Sequence, residues 1–283
     1  MKNYKNFVLE SLKDIAYNIG GDEFDEIFEK CCVGVDLEND TPIMRSTGID
    51  YGELFLVDPR KFERKSAHTL NYYTIFMDND PSWSEYPKRS HGIISAFNDS
   101  YMDDEVFRVI PLTKYDKILE KYNIKPFTTS KWGICPTRDI WSSIYKTIRS
   151  LIVSADQNGR NGLILELLNS LTADDITHIY YLISDKHSIE LSQTNYEEFR
   201  HQLISLTDDF LNDDMGWYPT NWCVDLFQAY MKEHNMNLFD LFAFIFDPVI
   251  NEFKVKTYEE IQKENWGTKN EVWTDTPVLY VKV

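Results

Sequence analysis

Residues 71–111 read NYYTIFMDNDPSWSEYPKRSHGIISAFNDSYMDDEVFRVIP, and the rest of the chain is interpreted outward from them. Two short apolar runs, 92–97 and 106–111, are separated by an acidic turn, a pattern that predicts two neighbouring β-strands. The loop before the first strand carries two aromatic and two basic side chains: Trp83, Tyr86, Lys88 and Arg89. Rings beside cationic groups favour a flat, anionic ligand at this loop.

Short apolar runs elsewhere predict further strands at 42–46, 271–273 and 278–281. Residues 53–58 fit a strand or a turn of helix, and residues 132–136 form another short apolar run. Apolar residues at helical spacing predict helices over 4–32 (interrupted at Gly20–Gly21), 139–152, 163–171, 173–184, 195–211, 220–234, 238–246 and 257–264. A terminal strand stays ordered when it pairs with another strand. We therefore place the last strand in one sheet with the strands near residues 43, 93 and 107.

This order of elements predicts an α+β fold with a small mixed or antiparallel sheet and a large helical insertion. We treat residues 1–283 as a single domain. Residues 138–256 form the helical insertion or subdomain, between the sheet-forming segments 42–137 and 266–283. No internal repeat and no Pro- or Gly-rich linker indicates independent domains.

The composition is that of a globular, acidic protein. Hydrophobic residues make up 43% of the chain and aromatic residues 14%, whereas disordered chains have few aromatic residues. The net charge is −17, from 46 acidic and 29 basic residues. A nucleic acid partner is disfavoured, because binding a phosphate backbone requires clustered Lys and Arg. A small anionic ligand in a local pocket, or a basic protein partner, remains compatible with this charge.

The sequence also indicates a cellular compartment. No apolar run is long enough to cross a bilayer, and the first residues lack the apolar segment and cleavage site of a secretory signal. The four cysteines show no zinc-binding spacing and are typical of buried free thiols in a reducing compartment. We therefore expect a cytoplasmic protein without membrane attachment.

Common catalytic motifs are missing from the sequence. The six histidines show no HExxH or HxH spacing, so no metal site is predicted. The phosphate-binding patterns GxxxxGK and GxGxxG are absent, and so is the GxSxG motif of serine hydrolases. Adjacent carboxylates are typical of solvated helix ends in so acidic a chain.

Three segments occur in an order that resembles a known family. They are an arginine on an early strand (PIMRS, residues 42–46), a serine-led strand (RSHGIIS, residues 89–95) and a glutamate that opens a late strand (NEVW, residues 270–273). This order is similar to the Arg–Ser–Glu arrangement of mono-ADP-ribosyltransferases, which include bacterial toxins and bacteriophage proteins. The similar stretches cover residues 42–111 and 266–283.

The resemblance implies an ADP-ribosyltransferase fold and NAD as substrate, with no metal. Arg45 would contact the phosphates and ribose, Ser90 would support the nicotinamide ribose, and Glu271 would be the catalytic carboxylate. Ser95 replaces Ser90 if the strand register is shifted. The residues expected to contact NAD are Arg45, Tyr72, Tyr73, Trp83, Arg89, Ser90 and Ser95. A carboxylate would stabilise the sugar cation that forms as nicotinamide leaves.

The expected activity is transfer of ADP-ribose from NAD to a protein or other macromolecule. The acidic charge of the chain favours a basic acceptor. Lys269 stands where arginine-modifying relatives carry a second acid. The resemblance therefore implies an acceptor other than arginine, hydrolysis of NAD, or a lost activity. One alternative is an NAD glycohydrolase that uses the same residues. Another is a non-catalytic acidic protein that binds and blocks a basic host protein.

Overall fold

Segments rich in β-branched and aromatic residues recur in the first and last parts of the chain, and most of them form strands. The computed structural model describes residues 16–47, 52–63, 72–98, 105–128, 130–137, 140, 143, 195–212, 221–267 and 270–283, with the backbone alone at 72 and 221–226. These residues form nine strands in one antiparallel sheet.

The strands are β1 (Ala16–Asn18), β2 (Ile43–Thr47), β3 (Leu54–Val57), β4 (Ile93–Phe97), β5 (Glu105–Pro111), β6 (Lys131–Ile134), β7 (Lys254–Thr257), β8 (Glu271–Thr274) and β9 (Val278–Lys282). Their order across the sheet is β1-β3-β9-β5-β2-β4-β8-β6-β7. The α+β class is confirmed. The sheet is larger than the small one predicted, and its described pairs are all antiparallel rather than mixed.

The helices of the described residues are α1 (Gly21–Cys31), α2 (Tyr72–Asn79), α3 (Tyr196–Ser205), α4 (Thr207–Asn212), α5 (Asn221–His234), α6 (Leu238–Ile245) and α7 (Tyr258–Gln262). The helix predicted over 195–211 is two helices, because the chain turns at Leu206. The helices predicted over 4–15, 163–171 and 173–184 lie outside the described residues. The same holds for the helix predicted over 139–152, apart from residues 140 and 143.

Two predictions about the sheet have different outcomes. The terminal strand β9 pairs with β3 and β5, so its placement in the main sheet is confirmed. The prediction that β4 and β5 are neighbours is wrong, because β2 lies between them. Ile43 of β2 pairs with Phe97 of β4, and Arg45 of β2 pairs with Phe107 of β5.

Three elements differ from the prediction. Two strands lie in segments that were predicted to be helical, and one helix was not predicted. Residues 16–18 form β1 rather than helix, because they pair with β3 (Ala16 opposite Val57), and tertiary pairing overrides local propensity. Strand β7 falls inside the segment 138–256, for which helices were predicted, and pairs with β6. The aromatic run at 72–79 forms α2.

The chain divides into two compact units. The first contains the described residues of Met1–Lys65, Trp83–Asp139 and Phe253–Val283, and it holds all nine described strands together with α1 and α7. The second contains the described residues of Ser66–Ser82 and Ile140–Glu252, which form α2 to α6.

Strand alternation gives the sheet two faces, which we name by their polar residues. The arginine face carries Ile43, Arg45, Ser95 and Val272, and the glutamate face carries Met44, Ala96, Glu271 and Trp273. The arginine face is covered by a core that includes Phe55, Phe107 and Tyr280 from the sheet and Tyr258 and Ile261 from α7. On the glutamate face, Leu56, Ile110 and Leu279 pack against Ile27 and Cys31 of α1.

The start of α7 provides a test of local stability. The Thr257 side chain accepts a hydrogen bond from the Glu260 backbone N–H, and the Glu260 carboxylate accepts one from the Thr257 backbone N–H. These bonds form a capping box, of which a Thr with a Glu three residues later is typical. We expect Thr257→Ala to lower the free energy of unfolding by about 1 kcal/mol in chemical denaturation. Thr257→Ser retains the hydroxyl and is the control; an equal loss in both variants would contradict the capping role.

Candidate functional site

The three strands that carry the predicted site residues are consecutive in the sheet. β4 lies between β2 and β8. Met44 of β2 and Glu271 of β8 both pair with Ala96 of β4. Segments far apart in sequence are therefore direct neighbours, and the side chains of each face can be assigned from this register.

Arg45 is a half-buried cation on the arginine face. Its Nη1 donates a hydrogen bond to the backbone oxygen of Ile94 at 2.8 Å. Its Nε is buried and has no hydrogen-bond partner in the described chain, and no described carboxylate forms an ion pair with it. Burial raises the pKa of the Tyr280 hydroxyl, and the nearby positive charge of Arg45 opposes that rise. Within the described residues, the charge of Arg45 is therefore not neutralised.

Two serines were candidates for the supporting hydroxyl, and the structure separates them. Ser95 lies within β4, is 5% exposed and shares the arginine face with Arg45. Its hydroxyl is buried without a hydrogen-bond partner among the described residues. Ser90 lies in a turn before β4 and is half-buried. Ser95 is therefore the serine that the sheet places beside Arg45.

Glu271 lies on the opposite face. It is the first residue of β8, is 9% exposed, and its carboxylate forms an ion pair with Arg89 at 2.7 Å. The Cys135 thiol donates to the same carboxylate oxygen at 3.7 Å. The structure thus brings Glu271 together with Arg89, and it separates Glu271 from Arg45 and Ser95 by the thickness of the sheet.

Aromatic side chains cover this ion pair on the glutamate face. The Arg89 guanidinium lies 5.3 Å from the centre of the Trp273 ring, whose Nε1 donates to the Pro87 carbonyl at 3.0 Å. Tyr86 stacks on Trp273, and Phe253 packs edge-on against it. A ring of this size next to a guanidinium contributes cation–π attraction as well as buried area.

Trp83, Tyr73 and Tyr72 were also expected to contact NAD. Trp83 is 2% exposed and packs against Tyr86 and Phe253, so it is part of the core of the first unit. Tyr73 is buried in α2 of the second unit. The side chain of Tyr72 and residue Lys269 lie outside the part of the chain that the structure describes.

The sequence reasoning did not identify the link between Arg89 and Glu271, or the contact of Cys135 with that pair. One signal for it exists. Arg89 precedes β4 by four residues, and Glu271 begins the strand that pairs with β4. Knowledge of the strand order would therefore have predicted that the two residues lie close together.

Two buried cysteines, Cys31 and Cys32, are not suited to nucleophilic chemistry. Burial raises the pKa of the Cys31 thiol to about 11 and raises that of Cys32 further, so both remain protonated and unreactive. Among the described residues, no group of three or more His, Cys, Asp or Glu side chains is placed to hold a metal ion. None of the helices in the described ranges is long and apolar enough to cross a membrane.

Comparisons of this chain with protein-family models, with curated proteins and with solved structures find no match. Its function is therefore inferred from its own residues and geometry.

Proposed function

We propose that this chain is a cytoplasmic enzyme that binds NAD on the arginine face and transfers ADP-ribose to a macromolecule. The observation that carries this proposal is the charge of Arg45, which is half-buried and lacks a carboxylate partner among the described residues. A partly buried charge is costly unless an opposite charge or hydrogen bonds compensate it. An anionic ligand would supply both.

The geometry favours the phosphates of a dinucleotide as that ligand. A guanidinium presents a planar set of donors that matches two phosphate oxygens. Ser95 offers a buried hydroxyl on the same face, which could bond a ribose hydroxyl. Arg89 was also expected to contact NAD, but its charge is already compensated by Glu271. We therefore assign the phosphate contact to Arg45 alone.

The proposed chemical step is substitution at the C1′ carbon of the nicotinamide ribose. The bond from C1′ to the nicotinamide nitrogen breaks, and its electron pair leaves with nicotinamide. A nucleophile of the acceptor then bonds to C1′ and loses its proton to solvent water. Glu271 would stabilise the cationic sugar, as the resemblance implies. Its carboxylate lies on the opposite face and pairs with Arg89, so this step requires that the ion pair opens and that the start of β8 leaves the sheet to turn Glu271 toward the arginine face.

A labelled substrate tests this step. We expect the parent protein, incubated with NAD labelled in the adenylate group, to release nicotinamide and to attach the label to a macromolecule. Glu271→Asp keeps the negative charge that pairs with Arg89, but its side chain is one methylene shorter, so the carboxylate lies closer to the backbone. We expect it to slow nicotinamide release about 100-fold, because a displacement of about 1 Å is that costly to catalysis.

The matched control is Glu105→Asp. Glu105 also begins a strand, and it forms an ion pair with Lys282 at 2.5 Å. This variant should release nicotinamide at the parent rate. Equal rates in Glu271→Asp and the parent would remove Glu271 from the mechanism. Nicotinamide release without label transfer would identify water as the acceptor, and the protein as an NAD glycohydrolase.

A second candidate function is supported by the distribution of charge. The residues that make up the second unit, 66–82 and 140–252, contain 19 Asp and Glu against 6 Lys and Arg, a net charge of −13. Most of the net charge of −17 therefore belongs to the helical unit rather than to the sheet. Such a charge attracts basic partners over a distance. It favours a protein that binds, and blocks, a basic host protein without catalysis.

A further inference from the structure

A groove in the second unit has the features of a protein-binding site. The groove is open to solvent, has a volume of about 790 Å³ and lies between the end of α2 and the start of α3. Its walls are Asn79, Asp80, Pro81, Asn195, Tyr196, Glu197, Arg200 and Phe239. Neither the NAD proposal nor the family resemblance uses any of these residues.

Asp80 supplies a fixed negative charge to the groove. One carboxylate oxygen accepts a hydrogen bond from the Tyr196 hydroxyl at 2.8 Å, and the other accepts from the Ser82 backbone N–H and hydroxyl at 2.9 and 2.6 Å. Burial and this bond to Asp80 both raise the pKa of Tyr196, so its hydroxyl stays protonated and remains a donor. The carboxylate is therefore held in place as an acceptor.

The aromatic wall of the groove already holds a cation from the chain itself. The Arg200 guanidinium lies 5.5 Å from the centre of the Phe239 ring, and its Nη1 is 3.8 Å from Glu197. Both Arg200 and Glu197 are exposed, with 45% and 66% of their side-chain surfaces accessible. The groove thus places a guanidinium against an aromatic ring and a carboxylate, which is the environment that stabilises a bound cation.

The charge around the groove selects the sign of its occupant. In the described part of the second unit, the basic residues are Arg200 and Lys232, against at least twice as many acids, including Asp80, Glu197 and Glu233. A polyanion would be repelled by this unit, whereas a basic segment would be attracted to it.

We propose that this groove receives an arginine or lysine side chain from a basic segment of a partner protein. The bound cation contacts Asp80 and Glu197 and lies along the aromatic wall formed by Tyr196 and Phe239. Arg200 competes with it for both the ring and Glu197. The inference holds whether the partner is an acceptor of ADP-ribose or a protein that is blocked.

Fluorescence anisotropy of the full chain tests the groove, with a labelled arginine-rich peptide as the probe. A counterpart peptide with citrulline in place of arginine keeps the shape but lacks the charge. We expect the parent to bind the arginine peptide and to bind the citrulline peptide at least about tenfold more weakly. We expect Asp80→Asn and Glu197→Gln each to weaken binding about threefold or more.

Two further variants separate a defined site from general attraction. Arg200→Gln removes the competing cation and should tighten binding, whereas Glu233→Gln, on α5 outside the groove, removes an equal charge and should change it little. Equal weakening by Glu197→Gln and Glu233→Gln would overturn the proposal, because the whole acidic unit would then be attracting the peptide. Equal binding of the two peptides by the parent would also overturn it. The same variants should bind NAD with the affinity of the parent. A failure of the groove proposal is therefore distinguishable from a failure of the proposed NAD site.

Discussion

Replacing Gly133 by alanine is expected to lower the free energy of unfolding by about 3 kcal/mol. Gly133 lies in β6 opposite Trp273, and a Cβ atom at this position would stand 2.2 Å from the Trp273 ring. Trp273 is fully buried, donates a hydrogen bond to the Pro87 carbonyl and packs against the Arg89 guanidinium. It therefore cannot move aside without breaking those contacts. Denaturant unfolding measures the change.

The control is Gly21→Ala in α1. A Cβ added there meets nothing within 4 Å, and alanine is favoured over glycine in a helix. We expect this variant to be as stable as the parent or slightly more stable. A Gly133→Ala protein with the parent's stability would show that Trp273 does not pack against β6 as described.

The ion pair of Arg89 and Glu271 gives the second large effect. Their side chains are 5% and 12% exposed, so removing one partner leaves a buried charge that has lost this ion pair. Arg89→Met and Glu271→Gln are each expected to lower the free energy of unfolding by about 3–5 kcal/mol. The double variant Arg89→Met with Glu271→Gln removes both charges, and we expect it to recover most of that loss. Chemical denaturation of all three variants measures the coupling.

The matched control for this pair is Glu105→Gln, which breaks the more exposed pair with Lys282. We expect a loss within about 1 kcal/mol, since solvent screens such a pair. Additive losses in the double variant would show that Arg89 and Glu271 do not interact in the folded protein.

The local part of the fold was predictable from the sequence, because short apolar runs bounded by polar turns are a local signal. Strands β2, β4, β5, β8 and β9 were found in this way, and helix α7 was found from its helical spacing. Helix α2 was not found, because its aromatic residues also suit strands. Phe76 of α2 packs against Phe239 and Phe246, and this packing, which joins distant segments, stabilises the helix.

The arrangement of the site was less predictable, because it depends on strand order and register. Sequence order does not show that β2 lies between β4 and β5. Register decides which face each side chain occupies, and a shift of one residue reverses the face. The sequence therefore placed Arg45, a serine and Glu271 on strands, but it did not show that these strands are neighbours or that Glu271 pairs with Arg89 on the other face.

The position of Glu271 has a consequence for the proposed enzyme. A carboxylate held by Arg89 on the glutamate face is available to a ribose on the arginine face only after the ion pair opens and the start of β8 leaves the sheet. Binding of NAD at Arg45 and catalysis by Glu271 are therefore separable, and variants of the two residues should have different effects. Loss of Arg45 should weaken binding, whereas Glu271→Asp should slow the chemical step with little change in the dissociation constant of NAD.

Calorimetric titration of the full chain with NAD tests the central claim most directly. The comparison is between Arg45→Gln and Arg108→Gln, because Arg108 is also half-buried and lies on the adjacent strand β5, on the glutamate face. We predict saturable binding by the parent and by Arg108→Gln, and a dissociation constant at least about tenfold higher for Arg45→Gln. Absence of binding by the folded parent at millimolar NAD, or equal affinity of Arg45→Gln and the parent, would contradict the NAD site.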